Sequence, residues 1–96
     1  MDTYDRSGNA IPAEEWSLLF GSKEYCRVDF TEVGESRVST VWLGMDHGHD
    51  GGLPVIFESM IFGGEHDEFC QRYTAETEAF AGHKRVVEAL KKGESP

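Results

Sequence analysis

Between Gly44 and Pro54 the chain reads GMDHGHDGGLP, and Asp46, His47, His49 and Asp50 place two imidazoles and two carboxylates within five consecutive positions. These are donors that a divalent cation takes, and the surrounding glycines would let the side chains converge. Metal sites usually draw ligands from more than one element, so the missing ligand is sought in Glu65, His66 or Asp67 of the next polar loop, provided both loops open at the same end of the sheet. The same residues also make up ordinary solvated loops. No cofactor is called for by the sequence, and a divalent metal at Asp46, His47, His49 and Asp50 is the one alternative to that.

Two further residues interrupt apolar patterns. His83 falls within a helical stripe, and Glu58 is the charged residue in the most apolar run, so a contact between them would explain both and would be the beginning of an acid–base pair. The catalytic candidates are therefore Asp46, His47, Glu58 and His83. Ser39 and Thr40 are strand hydroxyls with no evident base. There is no GxSxG, HExxH or CxxC, and no glycine loop stands in the strand-to-helix setting that binds phosphate. Cys26 and Cys70, far apart in sequence, read as buried thiols, with a disulfide as the alternative if their strands are neighbours.

The elements that must position these groups follow from alternation and punctuation. Pro12 starts a short helix carrying Trp16, Leu19 and Phe20 on one face, and Gly21 ends it. Tyr25 to Val33 and Arg37 to Leu43 alternate across Gly34-Glu35-Ser36 and read as an antiparallel hairpin, with Cys26, Val28 and Phe30 inward. Its partner strand turns inward either Val38, Thr40 and Trp42 or Val41 and Leu43. Val55 to Phe62 is apolar enough to be covered on both faces, and it pairs with a short strand over Phe69 to Tyr73. Thr74 then caps a C-terminal helix whose stripe is Ala79, Phe80, His83, Val86, Val87 and Leu90. Replacing Phe80 or Leu90 by Ala is expected to cost more stability than any change in the loop.

The sum is an α+β fold, an antiparallel sheet of three or four strands in two hairpins, packed by the C-terminal helix and accompanied by the short N-terminal one. Residues 11–93 form a single domain, after a flexible N-terminus of residues 1–10 and before a tail of residues 94–96. The chain of 96 residues carries a net charge of −9, distributed as 16 acidic and 5 basic side chains over residues 1–82 and 2 acidic and 4 basic over residues 83–96. Such a surface opposes direct nucleic-acid binding, which needs cations against phosphate. It allows two other uses, contact with a basic partner or imitation of DNA. No apolar run is long enough to span a bilayer and no signal peptide opens the chain, so a cytoplasmic protein without membrane contact is expected.

The run VSTVWLGMDH, the later IFESMIFGG and the helical AFAGH give the chain a resemblance, over about residues 33–90, to a family of short uncharacterised proteins of bacteriophages, chiefly those of actinobacteria, and related prophages. Members tend to keep Asp46, His47 and His83, whereas the position of His49 is often aromatic. The resemblance implies a small phage accessory protein in the host cell cytoplasm, and its expected role is binding a host protein without catalysis. A homodimer stays open. The alternatives are a small metal-dependent or acid–base enzyme centred on Asp46 and His47, and a DNA-mimicking inhibitor.

Overall fold

Alternation on either side of Gly34 builds the first hairpin of the sheet. In the computed structural model, which describes residues 2–48 and 51–96, β3 (Arg27–Val33) pairs antiparallel with β4 (Ser36–Trp42). β4 pairs with β5 (Phe57–Phe62) and β5 with β6 (Cys70–Tyr73), so the antiparallel order is β3-β4-β5-β6. The fold is α+β as expected, two hairpins side by side under α3 (Glu76–Lys91). Two shorter helices, α1 (Ala13–Phe20) and α2 (Lys23–Cys26), precede the sheet.

Two residues on either side of Asp5 to Asn9 pair with each other and dock on the sheet. β1 (Thr3–Tyr4) and β2 (Ala10–Ile11) form a small hairpin, and the Tyr4 amide donates to the Gly44 carbonyl at 2.8 Å. The Trp42 indole donates to the Tyr4 carbonyl, and the Trp16 indole of α1 donates to the Leu43 carbonyl at 2.9 Å. Gly44 makes this convergence possible, since it has φ +76° and a Cβ there would fall within both indole rings.

Two residues read as strand, Tyr25 and Cys26, are helical, because Ser22 caps Tyr25 and starts the single turn of α2. The next departure matters more. Arg27 faces Val41 but Asp29 faces Thr40, so Val28 is an extra residue and β3 carries a bulge. Cys26 and Val28 still pack toward Trp42, as expected. Beyond the bulge the parity flips, which sends Phe30 to the opposite face and turns Asp29 and Thr31 under α3.

The inner face of β4 is Val38, Thr40 and Trp42, all buried. Apolar residues on that face form two clusters, one around Trp42, Phe57, Tyr73 and Ala79, the other around Val38, Ile61, Val86 and Val87. Covering both faces of β5 was expected, yet α3 covers only one, and no helix packs on the other among the described residues. Phe62 is accordingly 42% exposed.

α3 begins one residue later than expected, at Ala75 as cap, with the Glu78 carboxylate accepting from the Ala75 amide and the Thr74 hydroxyl. These bonds hold the Glu78 carboxyl below its usual range, the Thr74 side chain having the largest part. Phe80 does not sit in the stripe: it is 37% exposed, and Gly82 takes the buried place because the Tyr73 ring lies against its Cα. Leu90 is half-buried beside Val38 and Val87.

Gly82→Ala therefore sets two effects against each other, a helix-propensity gain of about 1 kcal/mol and an overpacking cost of about 1–3 kcal/mol against the Tyr73 ring. The steric term should win. Urea unfolding is expected to show a net loss for Gly82→Ala and a smaller loss on replacing Phe80, which is 37% exposed, by Ala than on replacing the fully buried Ile61 by Ala.

Candidate functional site

The described polar groups with the most connected geometry lie between the two apolar clusters. Asp29, Thr40, Ser59 and Gln71 are successive cross-strand partners, so they form one polar row across all four strands on the face beneath α3. Two side chains of α3 answer this row. The His83 Nδ1 lies 2.7 Å from the Thr40 hydroxyl, and Arg85 donates to the Gln71 amide oxygen at 2.8 Å.

From Thr40 the chain continues inward. Its hydroxyl contacts that of Ser59, to which the Tyr73 hydroxyl donates at 3.0 Å. On the other side of the ring, His83 Nε2 lies 2.9 Å from the Thr31 hydroxyl and 3.7 Å from the Asp29 carboxylate. Among the described residues, one direction of donation gives every hydroxyl hydrogen from Tyr73 to His83 an acceptor: Tyr73 to Ser59, Ser59 to Thr40, Thr40 to Nδ1. Nδ1 is then an acceptor and Nε2 carries the proton, pointed at Thr31 and Asp29.

His83 is 1% exposed and Thr40 and Ser59 are 0% exposed. Burial pushes the proton affinity of His83 below the ordinary histidine value, and the nearby Asp29 carboxylate opposes that shift without reversing it. A neutral imidazole beside a hydroxyl is chemically a base beside a nucleophile. Here, however, both ring nitrogens and the Thr40 oxygen are engaged and sealed from solvent, which makes the group a structural connector in this conformation.

The structure does not bring the four sequence candidates together. Glu58 faces Val41 on the outer side of the sheet, away from His83, where it accepts from Arg72 at 2.9 Å and from the Cys70 thiol at 3.3 Å. The carboxylate near His83 is Asp29, supplied by the bulge. Asp46 accepts from the Gly48 and Val55 amides at 2.8 and 2.9 Å, which ties the ends of its loop together, and His47 is exposed. His49 and Asp50 lie outside the described residues.

Glu65, His66 and Asp67 cannot complete a metal site with that loop. Trp42 pairs with Phe57 at one end of the sheet and Arg37 with Phe62 at the other, so the two loops open at opposite ends, about 17 Å apart along the strands. Among the described residues no three His, Cys, Asp or Glu side chains are placed to hold a metal. The cysteines also differ from the reading of buried thiols: both are free, and Cys70 is exposed on an edge strand while Cys26 is half-buried in α2. Desolvation, and for Cys70 the adjacent Glu58, raises both thiols above their usual range, which leaves them poor nucleophiles.

Thr40, read as a hydroxyl with no base, thus has one in His83. Asp29, Thr31, Ser59 and Tyr73 were not singled out by the sequence reading. Ser59 carried a usable signal, a small polar residue inside an otherwise apolar run.

The opposite face of the sheet is the other surface of interest. Cross-strand pairing places Phe30, Ser39 and Met60 in one row, Glu32, Arg37 and Phe62 in the next, and Arg27, Val41, Glu58 and Arg72 in a third. Its carboxylates alternate with arginines, so this face carries no phosphate-like stripe. Arg27 lies over the Phe30 ring at 4.9 Å, and neither it nor Arg37 makes an ion pair with a described residue. Compared with known proteins, the chain matches no family model, no curated protein and no solved structure.

Thr40→Val keeps the shape of the side chain but takes away the acceptor for Ser59 and the donor to His83. Leaving such buried groups unpaired is expected to cost about 1–3 kcal/mol in urea unfolding, whereas Ser39→Val, on the other face of the same strand, should change stability by less than about 1 kcal/mol.

Proposed function

We propose that the protein is a small phage accessory protein that binds a host protein in the host cytoplasm, docking it on the open face of the sheet. The single observation that carries this reading is that face itself: Phe30, Val41, Met60 and Phe62 line it, and no helix covers them among the described residues. The face is mixed, four apolar side chains among arginines and carboxylates, and although an antiparallel sheet can leave such a face to water, apolar groups rimmed by polar ones are what a partner surface offers.

Charge narrows the kind of partner. The face carries Arg27, Arg37 and Arg72 against Glu32 and Glu58, a local excess of one positive charge on a chain whose net charge is −9. With Arg27 and Arg37 making no ion pair among the described residues, a complementary surface has an apolar centre and carboxylates at its rim. Two copies of this chain, each strongly acidic, repel one another, which favours a different protein over a homodimer. A face of four strands offers about 400 Å² to each partner, so the interface would be of the small, transient class unless the partner also wraps an edge. No described helix is long and apolar enough to cross a membrane.

The enzyme reading has less support, because its candidates are dispersed and the connected hydroxyl–imidazole chain is sealed. The test is affinity capture from host lysate with the natural chain, with Met60→Glu/Phe62→Glu, and with Leu18→Glu, which changes an exposed apolar residue of α1. One saturable partner should be captured by the natural chain and by Leu18→Glu and lost at least tenfold by the double variant, all three remaining folded by circular dichroism. No saturable partner, or equal capture by the double variant, would count against this function.

A further inference from the structure

The direction of the hydroxyl chain has a consequence for acid. With Nδ1 accepting from Thr40, each hydrogen from Tyr73 inward has an acceptor. A proton taken from solvent at Nδ1 makes that nitrogen a donor, so Thr40 must turn to accept from it and donate to Ser59. Ser59 then receives from both Thr40 and Tyr73. One hydroxyl hydrogen, that of Ser59 or of Tyr73, is left without an acceptor beneath α3, where an unmatched polar group is costly.

We infer that His83 is an acid-released latch: its neutral Nε2–H form fastens α3 to the sheet, and protonation at Nδ1 reverses the hydroxyl chain and loosens the helix. The charged and titratable groups around the ring are few. β3 contributes Asp29, whose side chain is 40% exposed, and α3 contributes Lys84, Glu88 and Lys91 around the depression outside Asp29 and Thr31. β4 and β5 contribute only the hydroxyls of Thr40 and Ser59, and β6 contributes the Tyr73 phenol. Among the described residues Asp29 is the group placed to favour a charged ring, and it sits on the Nε2 side, where it cannot accept the new hydrogen at Nδ1. The inference stands apart from host binding and uses the opposite face of the sheet.

A histidine whose proton affinity is lowered in the packed state binds fewer protons there than when α3 is detached. The latch is therefore complete above the ordinary histidine value of 6.5 and weakens as the pH falls below it, down to the depressed value of the packed ring. One unit below 6.5, the detached state is favoured by at most about tenfold relative to neutral pH.

The test combines two measurements on the intact chain, the ¹⁵N spectrum of the His83 ring at pH 7.5 and amide exchange of α3 at pH 7.5 and 5.5, corrected for intrinsic rates. The expected results are an Nε2–H ring and α3 exchange that accelerates at pH 5.5 by up to about tenfold in the natural chain but not in His83→Gln. An Nδ1–H ring, α3 exchange that is the same at both pH values, or an equal acid response in His83→Gln would overturn the inference. The ring spectrum needs no variant, so it decides the tautomer even if His83→Gln fails to fold, and the exchange of the natural chain at the two pH values is then read on its own.

Discussion

The fit of α3 to the sheet depends on one polar row running across the middle of an otherwise apolar interface. On either side of it lie clusters around Trp42 and around Val38, made of side chains whose contacts are non-directional. Apolar burial alone would let a helix shift along such a surface at small cost. The row Asp29, Thr40, Ser59 and Gln71 removes that freedom, because the buried His83 ring is satisfied by it only where Nδ1 meets Thr40 and Nε2 meets Thr31. Buried polar groups elsewhere add specificity more than net stability, and His83 has that part here.

The bulge at Val28 is the backbone feature that makes the row continuous. Without the extra residue, Asp29 would point outward and Phe30 inward, so the ring of His83 would lose its carboxylate and the helix would face a phenylalanine. With it, the apolar side chain moves to the open face, in one row with Ser39 and Met60 and under the Arg27 guanidinium. A single inserted residue therefore supplies both the polar centre on one side of the sheet and part of the apolar patch on the other. The two faces have become different in kind, one covered by α3 and the other with no helix on it among the described residues.

Much of this architecture is legible in the sequence. Pro12 and Gly21 bracket α1, Gly34 marks the first hairpin, and the i, i+3, i+4 spacing places His83, Val86 and Val87 on the buried side of α3. What could not be read has a physical reason in each case. A bulge leaves no local signature in CRVDFTEV, because alternation looks the same on both sides of it until a partner strand supplies the register. Glu58 reads as the companion of His83 because it is the charged residue in an apolar strand, but strand parity puts it on the far face with Arg72. Phe80 fits the helical period but lies at one flank of the stripe, and the helix is turned so that the opposite flank, Gly82 against the Tyr73 ring, is the one buried. The histidine and aspartate loop drew attention by composition, and Asp46 is spent on holding that loop closed.

The central claim is that the hydroxyls of the row and the imidazole of α3 act as one connected unit. A double-mutant cycle in urea with Thr40→Val and His83→Leu tests it most directly. The account predicts a coupling of about 0.5–3 kcal/mol, the double variant losing less stability than the two single losses combined, because each substitution already breaks the contact that the other would break. Strict additivity within about 0.3 kcal/mol would contradict it and would leave α3 held by its apolar clusters alone.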